Sequence, residues 1–168
     1  MTELDSLWSE MLGEAAAKAI DSGHNDIADY LRLKAANDAI RSIGVGWLVD
    51  TILEIAGQAV RDHAAIIIER EEPHSFARGN SNMVGSLLRL SHGVRCLTVE
   101  AGWTRTPRDG IMHGRALAFA RISHFGLPKK GAEFRLVHSE TLPNWLDKTG
   151  NTVDSSELRR HLDTLLDK

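Results

Sequence analysis

The chain has little of several things that would narrow its chemistry. It holds one cysteine, Cys96, in 168 residues. A single thiol has no partner for an intrachain disulfide and cannot build a cysteine-based zinc cluster. That suits a reducing compartment. No uninterrupted apolar run approaches the roughly 20 residues that span a bilayer. The first residues, MTELDSLWSEML, are acidic and lack the basic region of a secretory signal. The expectation is a cytoplasmic protein that makes no membrane contact.

Catalytic signatures are missing too. There is no HExxH, so the usual zinc-protease helix is absent. Lys130 is followed by Gly131 without the glycine frame or the Ser/Thr of a phosphate-binding loop. Gly44-Val45-Gly46 lacks a third glycine and follows a helical pattern, which argues against a dinucleotide fingerprint. No GxSxG elbow occurs. The histidine spacings match no metal signature, so no metal or cofactor is expected. These absences lower the prior for an enzyme without removing it, because catalytic groups converge from distant positions.

What is present is an ordinary globular composition, 42% hydrophobic and 26% charged, in a chain long enough to bury a core. The net charge of −3 conceals a gradient. Residues 1–72 carry 6 Lys+Arg against 14 Asp+Glu, residues 73–138 carry 10 against 3, and the remainder 4 against 6. Such asymmetry hints at partners and says nothing about fold.

Apolar residues at helical spacing (Leu4, Leu7, Trp8, Met11, Leu12, Ala15, Ala16, Ile20) predict a first helix. Thr2 with Asp5 resembles its capping box, and Gly23 is its stop. Ile27, Leu31, Ala35, Ala39, Ile40 and Ile43 predict a second helix, interrupted at Gly44 and Gly46. Trp47 to Val60 predicts a third, more apolar one. Strands are expected over 64–69, 94–103, 116–125 and 133–139, with 76–81 as loop. Residues 82–92 fit a helix better than a strict alternation, with a strand entering a turn at His92-Gly93 as the alternative. A last helix carries Leu158, Leu162, Leu165 and Leu166, capped by Asp154 or Ser155. The expected fold is a single α+β domain over 1–168. Its acidic helical layer of three helices (1–62) packs on a small, mostly antiparallel β-sheet in a basic part (63–140). A C-terminal helix (154–167) closes it.

One loop stands out. Thr104–Gly114 (TRTPRDGIMHG) follows a strand ending in Gly102-Trp103. Binding groups concentrate in loops held by rigid scaffolds. Trp103, Arg105, Arg108, His113, Arg115 and Arg121 are the candidate binding residues, because guanidinium groups grip phosphate or carboxylate and tryptophan stacks on rings. The bland alternative is a solvated loop with Trp103 in the core. Arg78, Arg89, Arg95, Arg105, Arg108, Arg115, Arg121 and Arg135 with Lys129 and Lys130 would form an electrostatic footprint if several shared one sheet face, or else neutralise the acidic helices. Glu100 and His113 are the weak catalytic candidates, and an ion pair of Glu100 with Arg95 or Arg121 is the structural alternative. Cys96 reads as a small core residue.

Three functions are compatible with these observations. The favoured one is a non-catalytic module engaging an anionic partner, nucleic acid or an acidic protein surface, through a basic sheet and the arginine-rich loop. The others are a structural homo-oligomeric subunit, and a small enzyme acting on a phosphorylated or carboxylated substrate.

Overall fold

The computed structural model describes residues 3–139 and 143–167. Thr2, half of the expected capping box, lies outside them. Helix α1 (Glu3–Asp21) and helix α2 (Asn25–Arg61) form an antiparallel hairpin turned at Gly23, whose positive φ of 77° suits glycine. Strands β1 (Ile67–Arg78), β2 (Ser81–His92), β3 (Arg95–Trp103), β4 (Ala118–His124), β5 (Ala132–Val137) and β6 (Asn144–Leu146) follow, and helix α3 (Ser155–Leu166) ends the described chain. The strands pair in sequence order, each antiparallel to the next, and all connections except the 104–117 loop are too short for a parallel crossover. The fold is α+β.

Its helical part differs from the expected layer of three. The second and third predicted helices are one helix of 37 residues. Gly44 does not break it. Glycine inside a helix costs about 1 kcal/mol relative to alanine, and here close packing requires it. A Cβ at Gly44 would sit 2.5 Å from Leu136 Cδ2. The Gly44 carbonyl also accepts a hydrogen bond of 2.9 Å from Trp145 Nε1. The two halves of α2 do different work. From Val45 to Ala59 it buries one side in the core, whereas its first half buries only Ala28 and packs along α1. One window of 18 residues in α2 reaches a mean hydropathy of 1.3, and 44% of it is buried inside the protein.

Residues 82–92 are strand, not helix. Strand β2 is covered on both faces: Ser86, Leu88 and Leu90 lie buried on one, Met83 and Leu87 on the other. A strand buried on both sides loses its alternation, and its apolar run then imitates a helix. The loop expected at 76–81 is instead the end of β1, a turn at Gly79, and the start of β2. The first strand, expected over 64–69, runs on through Pro73. That proline lies at the sheet edge where the register with β2 shifts between Glu71 and His74, and edges and bulges are where proline is tolerated in sheets.

The main core joins α2 and α3 to one sheet face, with Leu88, Leu90, Leu97, Val99, Ala120, Ile122, Phe134 and Leu136 all buried. Helix α3 is capped by Asp154, whose carboxylate accepts from the Ser156 and Glu157 amides. Buried in the same layer, His124 Nε2 and His161 Nδ1 share a hydrogen bond of 3.1 Å. The opposite sheet face carries a small second cluster, Phe76, Met83, Ala116 and Phe119, with Met112 packed on it. Cys96 belongs to that side and is only half-buried, because β3 alternates and its core face takes Leu97, Val99 and Ala101.

Candidate ligand-binding site

The loop after β3 is built rather than slack. Pro107–Asp109 forms a single 3-10 turn in which the Asp109 carboxylate accepts from the Thr106 amide (2.8 Å) and hydroxyl (2.9 Å). These bonds, first the Thr106 amide and then its hydroxyl, hold the Asp109 carboxyl below its ordinary range. Ser81 Oγ donates to the Ile111 carbonyl at 3.3 Å. Gly110 lies so close that a Cβ there would sit 2.5 Å from that hydroxyl. Met112 anchors the loop's far end in the second cluster. Gly114 and Arg115 both take positive φ in a tight turn closed from the Ala116 amide to the His113 carbonyl. His113, Arg108 and Arg115 are left exposed.

Arg105 is the centre of the site. Its guanidinium lies 3.8 Å from the centroid of the Trp103 ring, and Nη1 donates to Asp5 on α1 at 3.0 Å. Trp103 is 2% exposed, so the ring expected to be open for stacking is buried and takes Arg105 on its face. Arg105 thereby ties the sheet to the hairpin, and it lines each of four clefts at their junction. The outermost, about 400 Å³, runs between α2 and the loop. Tyr30 and Leu33 form one wall, Ile111 and Met112 the other, and Lys34, Arg41 and Arg105 supply the cations. Tyr30 is 62% exposed and Ile111 73%. Lys34 and Arg41 both pair with Asp38, at 3.1 and 2.7 Å.

Glu100 lies elsewhere, on the sheet face away from the main core. Its cross-strand neighbour is Arg121. Arg121 grips one carboxylate oxygen, with Nε at 3.0 Å, and His74 Nε2 reaches the other at 3.0 Å. Burial pushes the Glu100 carboxyl up, but hydrogen bonds and charge from Arg121 and His74 outweigh it and hold the group below its ordinary range. It is a fixed anion, poorly suited to act as a base near neutrality. The structure thus joins Glu100 to Arg121 and His74, while His113 stands on the exposed loop.

No known family, curated protein or solved structure matches this chain.

Part of the basic middle section is neutralised within the sheet. Arg121 pairs with Glu100, Arg89 with Glu69 at 3.3 Å, and Arg78 with Glu133 at 3.8 Å. Arg95 reaches Asp167 beyond α3 at 3.1 Å. Arg105 with Asp5 joins the basic part to the acidic hairpin. Among the described residues Arg108, Arg115 and Arg135 have no acidic partner, and Arg135 sits beside the loop, 3.5 Å from where a Cβ of Gly114 would be. Lys129 and Lys130, exposed on the turn between β4 and β5, have no acidic partner among the described residues either, so unpaired positive charge lies both around the loop and at that turn. The sequence reading missed the contribution of α2. The signal was there: Tyr30 and Leu33 are apolar residues off the stripe Ile27–Leu31–Ala35 that packs the hairpin.

Proposed function

We propose that the protein is a non-catalytic interaction module that binds an acidic protein segment in the groove between α2 and the 104–112 loop. The observation that carries this reading is the groove's composition, with exposed Tyr30, Leu33 and Ile111 flanked by Lys34, Arg41 and Arg105 and by the exposed Arg108 on the adjoining turn. Apolar walls with a cationic rim suit an amphipathic acidic segment better than a sugar–phosphate backbone, which would leave those walls wet. Burial of Trp103 removes one stacking platform that single-stranded nucleic acid would use.

The test is fluorescence anisotropy at low and near-physiological salt. A labelled acidic amphipathic peptide is compared with single- and double-stranded DNA and RNA of equal length. Peptide binding that weakens with salt, and is lost in both Arg105→Ala/Arg108→Ala and Tyr30→Ser/Ile111→Ser, is the expected result. Tighter binding to nucleic acid would transfer the groove to that partner, and no binding to any probe at low salt would end the reading. A homo-oligomeric subunit is the second reading, favoured by exposed Leu7, Met11 and Ile20 along α1. Light scattering on the wild type and on Met11→Glu decides it, since a monomeric wild type excludes it.

A further inference from the structure

The second half of α2 buries one side in the main core and leaves another uncovered. Ile43, Trp47 and Glu54 stand at i, i+4 and i+11, a spacing that sets them on one flank of the helix. Ile43 is 64% exposed and Trp47 42%, so two large apolar side chains lie open there. With residues of β6 and the start of α3, this flank lines a cleft of about 600 Å³, a size that holds a small ligand. Two further lining residues, Trp145 and Val153, are buried, and Trp145 is fixed by its hydrogen bond to the Gly44 carbonyl at 2.9 Å. We propose that this cleft is a site for a small organic cation, an ammonium group on an apolar body, with the ammonium beside Glu54 and the body against Ile43 and Trp47.

The assignment follows from the cleft's charge, which has one sign. Glu54 and Asp154 are its charged lining residues, and the rest of the lining is neutral. From Ile43 to Gln58, α2 carries Asp50 and Glu54 and no cation. Glu54 is exposed and makes no ion pair among the described residues. Asp154 accepts from the Ser156 and Glu157 amides, which removes those donors of the α3 N-terminus from any anion. The cation that acts on Asp154, Arg160, is itself held by Glu157, and Lys148 on the turn after β6 reaches Glu133 at 3.7 Å. An anion would therefore meet two carboxylates, and a neutral ligand would gain only the apolar contact. A cation gains attraction to Glu54 and to an open indole as well. Glu54 stands about 10 Å beyond Trp47 along the helix axis, which suits a short chain with its charge at one end. The cleft shares no lining residue with the groove between α2 and the loop, and prefers the opposite charge, so the two readings fail separately.

The indole N–H of Trp47 is the reporter. The protein has four tryptophans, so a 15N-labelled sample gives four indole signals, with Trp47 assigned by Trp47→Phe. Trp103, buried in the main core, serves as the internal control for the fold, and the exposed Trp8 as the control for unspecific association with the acidic hairpin. Phenylbutylamine is titrated beside phenylbutanol and phenylbutyrate. The expected result is a saturable movement of the Trp47 signal with the amine, roughly tenfold weaker with the alcohol and absent with the carboxylate. Glu54→Gln should weaken the amine roughly tenfold and leave the alcohol unchanged, and Glu54→Lys should abolish the amine response. Glu54 is exposed, so both variants keep the fold, which an unmoved Trp103 signal verifies. A Trp47 signal that the amine never moves overturns the proposal. So does an alcohol that binds as tightly as the amine, an amine response that Glu54→Gln leaves intact, or a Trp8 signal that moves as much as that of Trp47.

Discussion

Acid should begin to weaken this protein through the His124–His161 pair below about pH 6.5, above the range in which its carboxylates titrate. The two rings are buried, share one hydrogen bond of 3.1 Å and lie 5.4 Å apart, with Phe134 packed edge-on to His161. One nitrogen donates and the other accepts, so the bond needs a neutral acceptor ring. Burial first, then the neighbouring His161 and Lys130 charges, push the His124 pKa down from 6.5 to about 4. Burial and the Arg160 charge lower that of His161 as well. The unfolded chain therefore binds protons that the folded chain refuses, and stability is complete above pH 6.5 and falls as the pH drops towards 4. For His124 alone, linkage gives a loss of about 2 kcal/mol between pH 7 and pH 5, and about 3 kcal/mol over the whole window. With a urea dependence of about 2 kcal/mol per molar, the first figure moves the unfolding midpoint by roughly 1 M. Urea titrations followed by tryptophan fluorescence at pH 7 and pH 5 read it directly. In His124→Leu the pH-dependent part should shrink by about 2 kcal/mol, while stability at pH 7 drops by about 1–3 kcal/mol because His161 Nδ1 loses its partner. A wild-type midpoint that stays constant from pH 7 to pH 5 would refute the reasoning.

Two further predictions concern single residues. Gly44→Ala forces a Cβ against Leu136 and should destabilise by about 1–3 kcal/mol, whereas Gly46→Ala enters open space and should stabilise α2 by about 0.5–1 kcal/mol; thermal unfolding of the pair separates a packing glycine from a merely tolerated one. Glu100→Gln removes the anion between Arg121 and His74 and should cost about 1 kcal/mol, since Arg121 is half-exposed and keeps its hydration; chemical denaturation checks it, and a loss above about 4 kcal/mol would show that the trio is far more buried than the structure has it.

How much of this was legible depended on how many faces each element buries. Strand β3 was readable because Leu97, Val99 and Ala101 alternate with Thr98 and Glu100, a period of two with one face in the main core. The strand β2 was not, because both its faces are covered. Helix α3 was plain from its leucine spacing and Asp154. The continuity of α2 was hidden for a different reason. A glycine that breaks a helix and one that lets a strand side chain approach it look alike in one sequence, and only Leu136, 92 residues later in the chain, tells them apart. Strand β6 is three residues long and left no pattern to read.

The candidate site shows the same limit in its electrostatics. Counting charges along the chain gave a strongly basic segment facing an acidic one, and the natural expectation was either an exposed basic face or neutralisation by the helices. Neither describes all of the arginines. In an antiparallel sheet a residue's charge is met by the one opposite it on the next strand, so Arg121 finds Glu100 and Arg89 lies across from Glu69. Glu69 and Glu100 each meet an arginine because register places it opposite. Among the described residues, Arg108 and Arg115 on the loop, Arg135 beside it, and Lys129 and Lys130 on the turn between β4 and β5 have no acidic partner, and only the fold shows where they fall. Arg105 is the exception that links the two halves, and its pairing with Asp5 ties the start of the loop to the hairpin. A charge sum over residues bounds the total field of a surface, while strand register decides which of those charges a partner can meet.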